Sequence, residues 1–397
     1  MEIYKLTPLT SLVWFQEGPG VRNTQYTNSG VKLLNVANLI DGHIDLSTSN
    51  RYIAEEEAYG RYRHFLCDKG DLVIASSGIK VDYFDKKMGF VRQEHLPLCM
   101  NTSTIRFKVL DKNILNIRYF MYFLKSNFFK SQLSKQITGS AQLNFGPSHL
   151  KRMIVPLINI DYQNHICGIL DKVYELEYKL QTELTLLNQL VKSRFIEMFG
   201  DSQSNPKGFP YKRINEFAKC IAGATPSTKR KEYWSNGIIP WMSSGEVNYK
   251  RIWETEKRIS QVGYDSCSTK MIPAHTVVIA MAGQGRTRGT VAVAEIPLCT
   301  NQSLCSIITD GTVDTDYLFT YLQFQYNNLR NISNGSSGRG GLNIKLIGQF
   351  AVLVPPLAIQ QKFSNFLKEI DKSKLAVQKS LDELETLKKS LMQTYFG

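Results

Sequence analysis

The sequence predicts an α+β protein: two α/β globular parts in tandem, each followed by a long α-helix, the two helices packed as an antiparallel coiled coil with pseudo-two-fold symmetry. Three observations lead there. The first is a short echo, PLCMNTS at 97–103 and PLCTNQS at 297–303. At the offset 297 − 97 = 200, Pro97, Leu98, Cys99, Asn101 and Ser103 recur as Pro297, Leu298, Cys299, Asn301 and Ser303. The second is a gapless echo of 163–200 in 360–397, at the offset 360 − 163 = 197. There Gln163, Leu170, Gln181, Leu184, Leu187, Leu190, Lys192, Ser193, Phe199 and Gly200 recur as Gln360, Leu367, Gln378, Leu381, Leu384, Leu387, Lys389, Ser390, Phe396 and Gly397. The third is the spacing of apolar residues inside that second echo, three and four apart, as in a coiled coil.

These observations divide the chain into 1–155, 156–200, 201–355 and 356–397. In the first globular part, β-rich runs such as Leu72-Val73-Ile74-Ala75 and Ser103-Thr104-Ile105-Arg106-Phe107 sit between Gly, Asn and Asp, residues that interrupt regular structure. The aromatic stretch 118–133 is long enough for one helix, with Tyr119, Tyr122, Phe123 and Phe129 read as core rather than as base-stacking platforms; its counterpart starts at Tyr317. A helix begins near Gln163, after Pro156, with Ile166, Ile169, Val173, Leu176, Leu180, Leu184, Leu187 and Val191 on its apolar side, and ends at Phe199-Gly200, glycine being a preferred terminator. A polar linker, 201–210, leads to the second globular part, which Pro355-Pro356 closes. The last helix, about 359–395, carries Phe363, Phe366, Ile370, Val377, Leu381, Leu384 and Leu391. Each helix is about 35 residues and therefore about 50 Å long. An amphipathic rod of that length needs its stripe covered. The other copy can cover it, and Val173, Leu180, Leu184, Leu187, Val377, Leu381, Leu384 and Leu391 are the expected pairing and partner-binding residues.

The chain has 397 residues, is 43% hydrophobic and carries a net charge of +13. That length and apolar content suffice for two sizeable cores. The basic excess favours a polyanionic partner, nucleic acid or an anionic membrane. Seven scattered cysteines without a Cys-x-x-Cys pair argue for a reducing compartment and against a disulfide framework or zinc module. The start, MEIYKLTPLT, is not a signal peptide, and no apolar run approaches a membrane span. The expectation is a soluble cytoplasmic protein.

Catalytic signatures are missing. The sequence has no Gly-x-x-x-x-Gly-Lys loop, no His-Glu-x-x-His, no nucleophile elbow, no paired Cys/His ligand set and no Asn-Pro-Pro-Tyr or Asp-Pro-Pro-Tyr run. Its six histidines are isolated, and Gly18-Pro19-Gly20 and Gly283-Gln284-Gly285 lack the context of a dinucleotide site. No catalytic residue and no metal ligand is assigned.

What remains is loops rich in donors. The second half has Thr228-Lys229-Arg230-Lys231 before Tyr233-Trp234, then Gly283-Gln284-Gly285-Arg286-Thr287-Arg288-Gly289, then Asn334-Gly335-Ser336-Ser337-Gly338-Arg339-Gly340-Gly341. The first half has Arg22-Asn23-Thr24-Gln25, Arg61-Tyr62-Arg63, Ser76-Ser77-Gly78-Ile79-Lys80 and Thr138-Gly139-Ser140-Ala141-Gln142. Glycine lets a backbone approach a ligand closely, and guanidinium forks read guanine edges or clamp phosphates. The candidate DNA-contacting residues are Arg22, Asn23, Gln25, Arg61, Arg63, Lys80 and Gln142, with Lys229, Arg230, Lys231, Gln284, Arg286, Arg288 and Arg339. A pseudo-two-fold pairing of the rods suits a duplex, since antiparallel rods carry the globular parts to opposite ends.

These residues carry a family resemblance. Gly223-Ala224-Thr225-Pro226-Ser227, Tyr233-Trp234 and Gly237-Ile238-Ile239-Pro240-Trp241 are similar to the opening of a target recognition domain in specificity (S) subunits of type I restriction–modification systems. In the first half Gly30-Val31-Lys32-Leu33-Leu34-Asn35-Val36 fills the same place. Leu342-Asn343 and Leu143-Asn144, then Val354-Pro355-Pro356-Leu357 with Gln360-Gln361 and Val155-Pro156-Leu157 with Gln163, resemble the approach to that family's conserved spacer helices. The halves differ there: Leu157-Ile158-Asn159 stands where the second has Pro356-Leu357-Ala358.

The resemblance covers essentially the whole chain. It implies two target recognition domains, each reading one half of a bipartite, asymmetric site in double-stranded DNA. It also implies helices that set the gap and dock two methyltransferase (M) subunits, with restriction/helicase (R) subunits able to join. S-adenosylmethionine, ATP and Mg would then belong to those partners and none to this chain, which would not itself be an enzyme. The competing readings are a self-contained DNA methyltransferase or nuclease with unrecognised motifs, and a structural adaptor with a basic face.

Overall fold

A computed structural model describes residues 4–79, 81–136, 143–202, 204–283, 285–334 and 341–397. The chain forms two compact units, Met1–Gln181 with Lys379–Gly397, and Thr182–Gln378. Each unit therefore holds one globular head and a stretch of both long helices.

In the first unit a four-stranded antiparallel sheet has the order Val13–Glu17, Thr104–Val109, Leu72–Ala75, Met88–Phe90. Strand alternation gives the sheet two apolar faces. Leu72, Ile74, Ile105 and Phe107 face the aromatic helices, while Val73 and Ala75 face a second cluster with Leu34, Leu98 and Met100. A smaller sheet places Val31–Leu34 parallel to Leu98–Met100 and antiparallel to Tyr52–Ile53. The head's first strand, Lys5–Pro8, pairs with its last, Ile154–Leu157. The chain thus enters and leaves the head at the foot of its long helix.

The second unit repeats this plan. Its five-stranded sheet runs Ala218–Ala222, Leu304–Thr309, Thr276–Ala280, Val291–Ala294, Arg251–Ile252, and its smaller sheet runs Lys257–Ile259, Ile239–Met242, Cys299–Thr300. Tyr211–Arg213 pairs with Ala351–Leu353 at the foot of the second long helix.

The aromatic stretch is two helices, Ile117–Lys125 and Asn127–Ser134, rather than the single helix expected over 118–133. Ser126 makes the break: its hydroxyl donates to Phe123 O at 2.6 Å and accepts from Phe129 N at 3.2 Å, ending one helix and capping the next. Tyr119, Tyr122, Phe123 and Phe129 are buried in the core.

The long helices are Ile160–Phe199 and Leu357–Phe396, 40 residues each and thus about 60 Å rather than about 50 Å. Both begin a turn or less before the positions expected, and the starts keep the repeat offset, 357 − 160 = 197. Asn159 supplies the first cap, accepting from Tyr162 N at 2.8 Å.

Within each unit the helical stretches run antiparallel. In the first, Phe396 packs on Tyr119 at 5.0 Å in the core that holds Ile166 and Leu170, and farther along Lys388 pairs with Glu177 at 2.7 Å. In the second, Phe199 and Phe195 meet Phe363 at 5.5 and 5.3 Å, and Arg194 lies over Phe366 at 5.9 Å. Val173, Val377 and Leu384 are buried; Leu180, Leu184, Leu187, Leu381 and Leu391 are half-buried. Leu176, expected on the apolar side, is 47% exposed. That stretch packs against the head as well as against the second helix, which brings Tyr174 and Glu177 inward instead.

Candidate nucleic-acid interface

The repeated heptapeptide ends in a turn around which the loops of each head gather. In the first head Asn101 N donates to Leu34 O, and in the second Asn301 N donates to Met242 O, both at 3.1 Å. The turn is thereby hung on the small sheet at the same point. The Asn side chains then brace the turn: Asn101 Oδ1 accepts from Thr102 N at 2.8 Å, and Asn301 Oδ1 from Ser303 N at 3.0 Å.

A glycine lets the next loop pass against this turn. A Cβ on Gly18 would lie 2.1 Å from Asn101 O, and one on Gly223 would lie 1.8 Å from Thr300 O. Gly18 is thus the counterpart of Gly223. The stretch Gly30–Val36 matches only the second part of the motif, since Val31–Leu34 occupies the strand position of Ile239–Met242.

Two indoles shape the second head's loop. Trp241 Nε1 donates to Ala224 O at 3.0 Å, Trp234 Nε1 donates to Ser227 O at 3.2 Å, and the rings meet edge-on at 5.0 Å. Thr225 donates its hydroxyl proton to the Gln302 side-chain oxygen. The Gly-Ala-Thr-Pro-Ser and Tyr-Trp motif is therefore scaffolding, and it presents Lys229, Arg230 and Lys231, all exposed. Beside them Thr228, Lys231, Trp234, Ser235, Glu256, Lys257 and Arg258 line a cleft of about 500 Å³.

A second cleft has a volume of about 570 Å³. Met281, Ala282, Ser303, Leu342, Asn343, Ile344 and Lys345 line it with Gln302 itself. Two backbone carbonyls of the loop that begins there are pinned: Tyr326 Oη donates to Arg286 O at 2.9 Å, and Arg330 Nη1 donates to Gly285 O at 2.7 Å. That leaves the Arg286 side chain exposed, while Arg288 is half-buried.

In the first head the structure brings loop 22–25 to corner 61–63. Gln25 Nε2 donates to Glu57 Oε1 at 3.0 Å and to Tyr62 Oη at 3.1 Å, and its Oε1 accepts from Arg22 N at 3.1 Å. Gln25 is therefore engaged inside the fold and holds the loop in shape. Arg22, Asn23, Arg61 and Arg63 stand exposed around it. At the turn, Ser77 Oγ donates to Ser103 Oγ at 2.6 Å, and Asn144 Oδ1 accepts from Gly78 N at 3.2 Å. Lys80, Gln142, Gln284 and Arg339 lie outside the described residues.

Several contributors escaped the sequence reading. Lys257 and Arg258 line the first cleft, yet they follow Glu254 and Glu256 in a run of mixed sign with no basic signature. Lys345 was a single basic residue in an apolar stretch. Glu17 ends the strand that leads to Gly18, opposite Ile105, where the second head has Ala222 opposite Cys305. Burial raises its carboxyl above the ordinary carboxylate range. An isolated acid gives no signal in one sequence.

Two of the six histidines make hydrogen bonds that shape the backbone. His95 and His149 accept through Nδ1 from the backbone N–H of Arg92 and Gly146 at 3.0 and 3.1 Å. Among the described residues no group of His, Cys, Asp and Glu could hold a metal ion, and no helix is long and apolar enough to cross a membrane. Among the described residues the loop cluster of each head is rich in Arg, Lys, Gln, Asn and Ser. Side chains of these kinds are able to contact phosphates and base edges.

A family model described as "Type I restriction modification DNA specificity domain" matches residues 21–187 and 206–386. The chain is similar to the type I restriction enzyme MjaIX specificity subunit of Methanocaldococcus jannaschii, 30% identical over 216 residues, 52% of this chain and 48% of that one. It is also similar to the EcoR124I/EcoR124II specificity subunit of Escherichia coli, 23% identical over 218 residues, 54% of this chain and 53% of that one. These alignments span about half the length of the curated relatives. The fold is shared with a crystal structure of a type I restriction–modification S subunit from M. genitalium, with a TM-score of 0.61 over 100% of this chain and 96% of that one at 15% identity.

Proposed function

Since the chain belongs to the type I restriction–modification DNA specificity family, we propose that it is the non-catalytic DNA-reading subunit of a type I complex, in which each head reads one half of a bipartite, asymmetric site. One observation carries this reading: both heads assemble the same kind of donor-rich loop cluster on the same repeated turn, each mounted at the foot of its own long helix. Two readers on one duplicated frame, with different loop residues, suit two different half-sites. The net charge of +13 supplies the attraction to phosphates.

In this reading Arg22, Asn23, Arg61 and Arg63 serve the first half-site, and Lys229, Arg230, Lys231, Arg286 and Arg288 the second. Lys80 and Gln142 are assigned to the first half-site, and Gln284 and Arg339 to the second, from the sequence. Gln25 supports rather than reads. The long helices set the distance between half-sites. About 60 Å of rod corresponds to one to two turns of B-DNA at about 34–36 Å per turn. Apolar residues left open on the helices, among them Leu186, Leu190 and Ile196 on the first and Leu375 and Leu387 on the second, suit the docking of two methyltransferase subunits. Restriction/helicase subunits join that core, and S-adenosylmethionine, ATP and magnesium are theirs and the methyltransferase's to bind.

The test is to map methylated bases across the genome in cells carrying the complex, with and without this chain. A chain-dependent motif of two short halves separated by a fixed unread gap is expected. A single contiguous short target would overturn the reading, and so would methyl transfer or cleavage by the pure chain alone.

A further inference from the structure

The repeat marks a pair of residues that the reading loops do not use. Gln163 and Gln360 each stand on the first turn of a long helix, and each is 0% exposed. A buried amide must find partners for two N–H groups and a carbonyl, and these find them across three pieces of chain. Gln163 Oε1 accepts from Asn116 N at 2.8 Å, while its Nε2 donates to Ile114 O at 2.9 Å and Ile158 O at 2.8 Å. Gln360 Oε1 accepts from Asp314 N at 2.8 Å, and its Nε2 donates to Pro355 O at 2.7 Å. Asn116 and Asp314 are the N-caps of the head helices Ile117–Lys125 and Thr315–Phe324. One side chain thus ties the head, the segment leaving it and the foot of the rod.

Further polar ties follow along each rod, made with different residues. In the first unit Asn164 accepts from Asn116 Nδ2 at 2.7 Å, and Asp171 binds Arg118 at 2.6 Å and Tyr122 Oη at 2.5 Å. In the second Ser364 donates to Asp314 Oδ1, and Asp371 meets Arg251, which also holds Asp316 at 2.8 Å. The ties span 171 − 163 = 8 residues in one rod and 371 − 360 = 11 in the other, about 12 and 16 Å. Apolar packing alone tolerates small rotations and slides; directional bonds at several turns do not. Among these ties to the rod the glutamine recurs in both described units, with the same acceptor role toward the N-cap amide.

We propose that Gln163 and Gln360 are positioning residues that lock each head at one angle on its rod, and that this lock enforces the length of the unread gap to a single base pair. The claim rests on the two-half-site reading. Changing the gap by one base pair shifts a half-site by about 3.4 Å and turns it by roughly 35°. A head free to swivel on its rod could follow that change, and a locked head cannot.

The test uses the full chain co-expressed with its methyltransferase subunits and carrying Gln163→Met, Gln360→Met or both, substitutions that keep the side-chain volume and remove the bonds. Chromosomal methylation is mapped, and hydrogen exchange is followed at the Asn116 and Asp314 amides and in the sheet strands. Expected are the same bases in both halves, faster exchange at those two amides, and discrimination against gaps one base pair longer or shorter reduced by about tenfold. Faster exchange with the gap still held to one length would overturn the lock. So would loss of protection throughout a head's sheet, which would make the glutamine a folding residue. A contiguous wild-type target would instead overturn the two-half-site reading.

Discussion

Trp241 shows how a single atom can hold the shape of a loop. Its Nε1–H is the donor that holds Ala224 O, one residue from the close approach of Gly223 to Thr300. Trp241→Phe deletes the donor together with the five-membered part of the indole, at about 1 kcal/mol for the bond and a further cost for the space left. A modest fall in melting temperature is expected, together with relaxed base preference in the second half-site and an unchanged first. Arg286 poses the complementary case, since its carbonyl is pinned by Tyr326 and its side chain is exposed. Arg286→Ala should weaken binding by about 1–3 kcal/mol at one base position if it reads a guanine. Binding measured on duplexes altered in each half decides this, and equal loss of selectivity in both halves would contradict separate readers. The exposed basic runs were legible because like charges cluster in sequence. Lys257 and Arg258 were not, because their company is assembled across strands.

Among the elements, the long helices were the most legible. A three-and-four spacing over about seven turns is a strong local signal, and both helices have their repeat offset. The detail that escaped was rotational: Leu176 looks outward and Tyr174 inward, since the helix there packs against two neighbours and one stripe serves only one. Leu184 and Leu381 are half-buried on the two rods. Replacing both by Asp should abolish rod pairing or docking of methyltransferase subunits while the heads stay folded. Size-exclusion chromatography of the co-expressed complex checks this, and undiminished assembly would refute it. The aromatic stretch misled because its apolar pattern continues through Ser126, whose buried hydroxyl ends the helix by a bond that hydrophobic periodicity does not register.

At the scale of the whole molecule, the last residues of the chain belong to the first unit. Phe396 is 3% exposed in the core that contains Tyr119, Phe120 and Phe123. Phe396→Ala should therefore destabilise the first head by about 3–5 kcal/mol. Hydrogen exchange should accelerate in Thr104–Val109 and remain as it was in Leu304–Thr309. The net charge of +13 acts at this scale too. If six or more phosphates are neutralised, affinity should fall by about a thousandfold or more between 50 and 200 mM salt. Affinity indifferent to salt would favour the adaptor reading.

The chain's doubling, its two rods, its basic loops and its family could all be read from residues close together in sequence, because periodicity and motifs record local geometry. Tertiary structure alone decided which rod stretch joins which head, which loops meet at the Asn-x-Ser turn, and what Gln163 and Gln360 hold. Asn116 lies 47 residues from Gln163, and Asp314 lies 46 from Gln360. A bond across that distance exists only once the backbone has folded to bring a buried amide and a helix cap within 3 Å of each other, and linear spacing carries no trace of it.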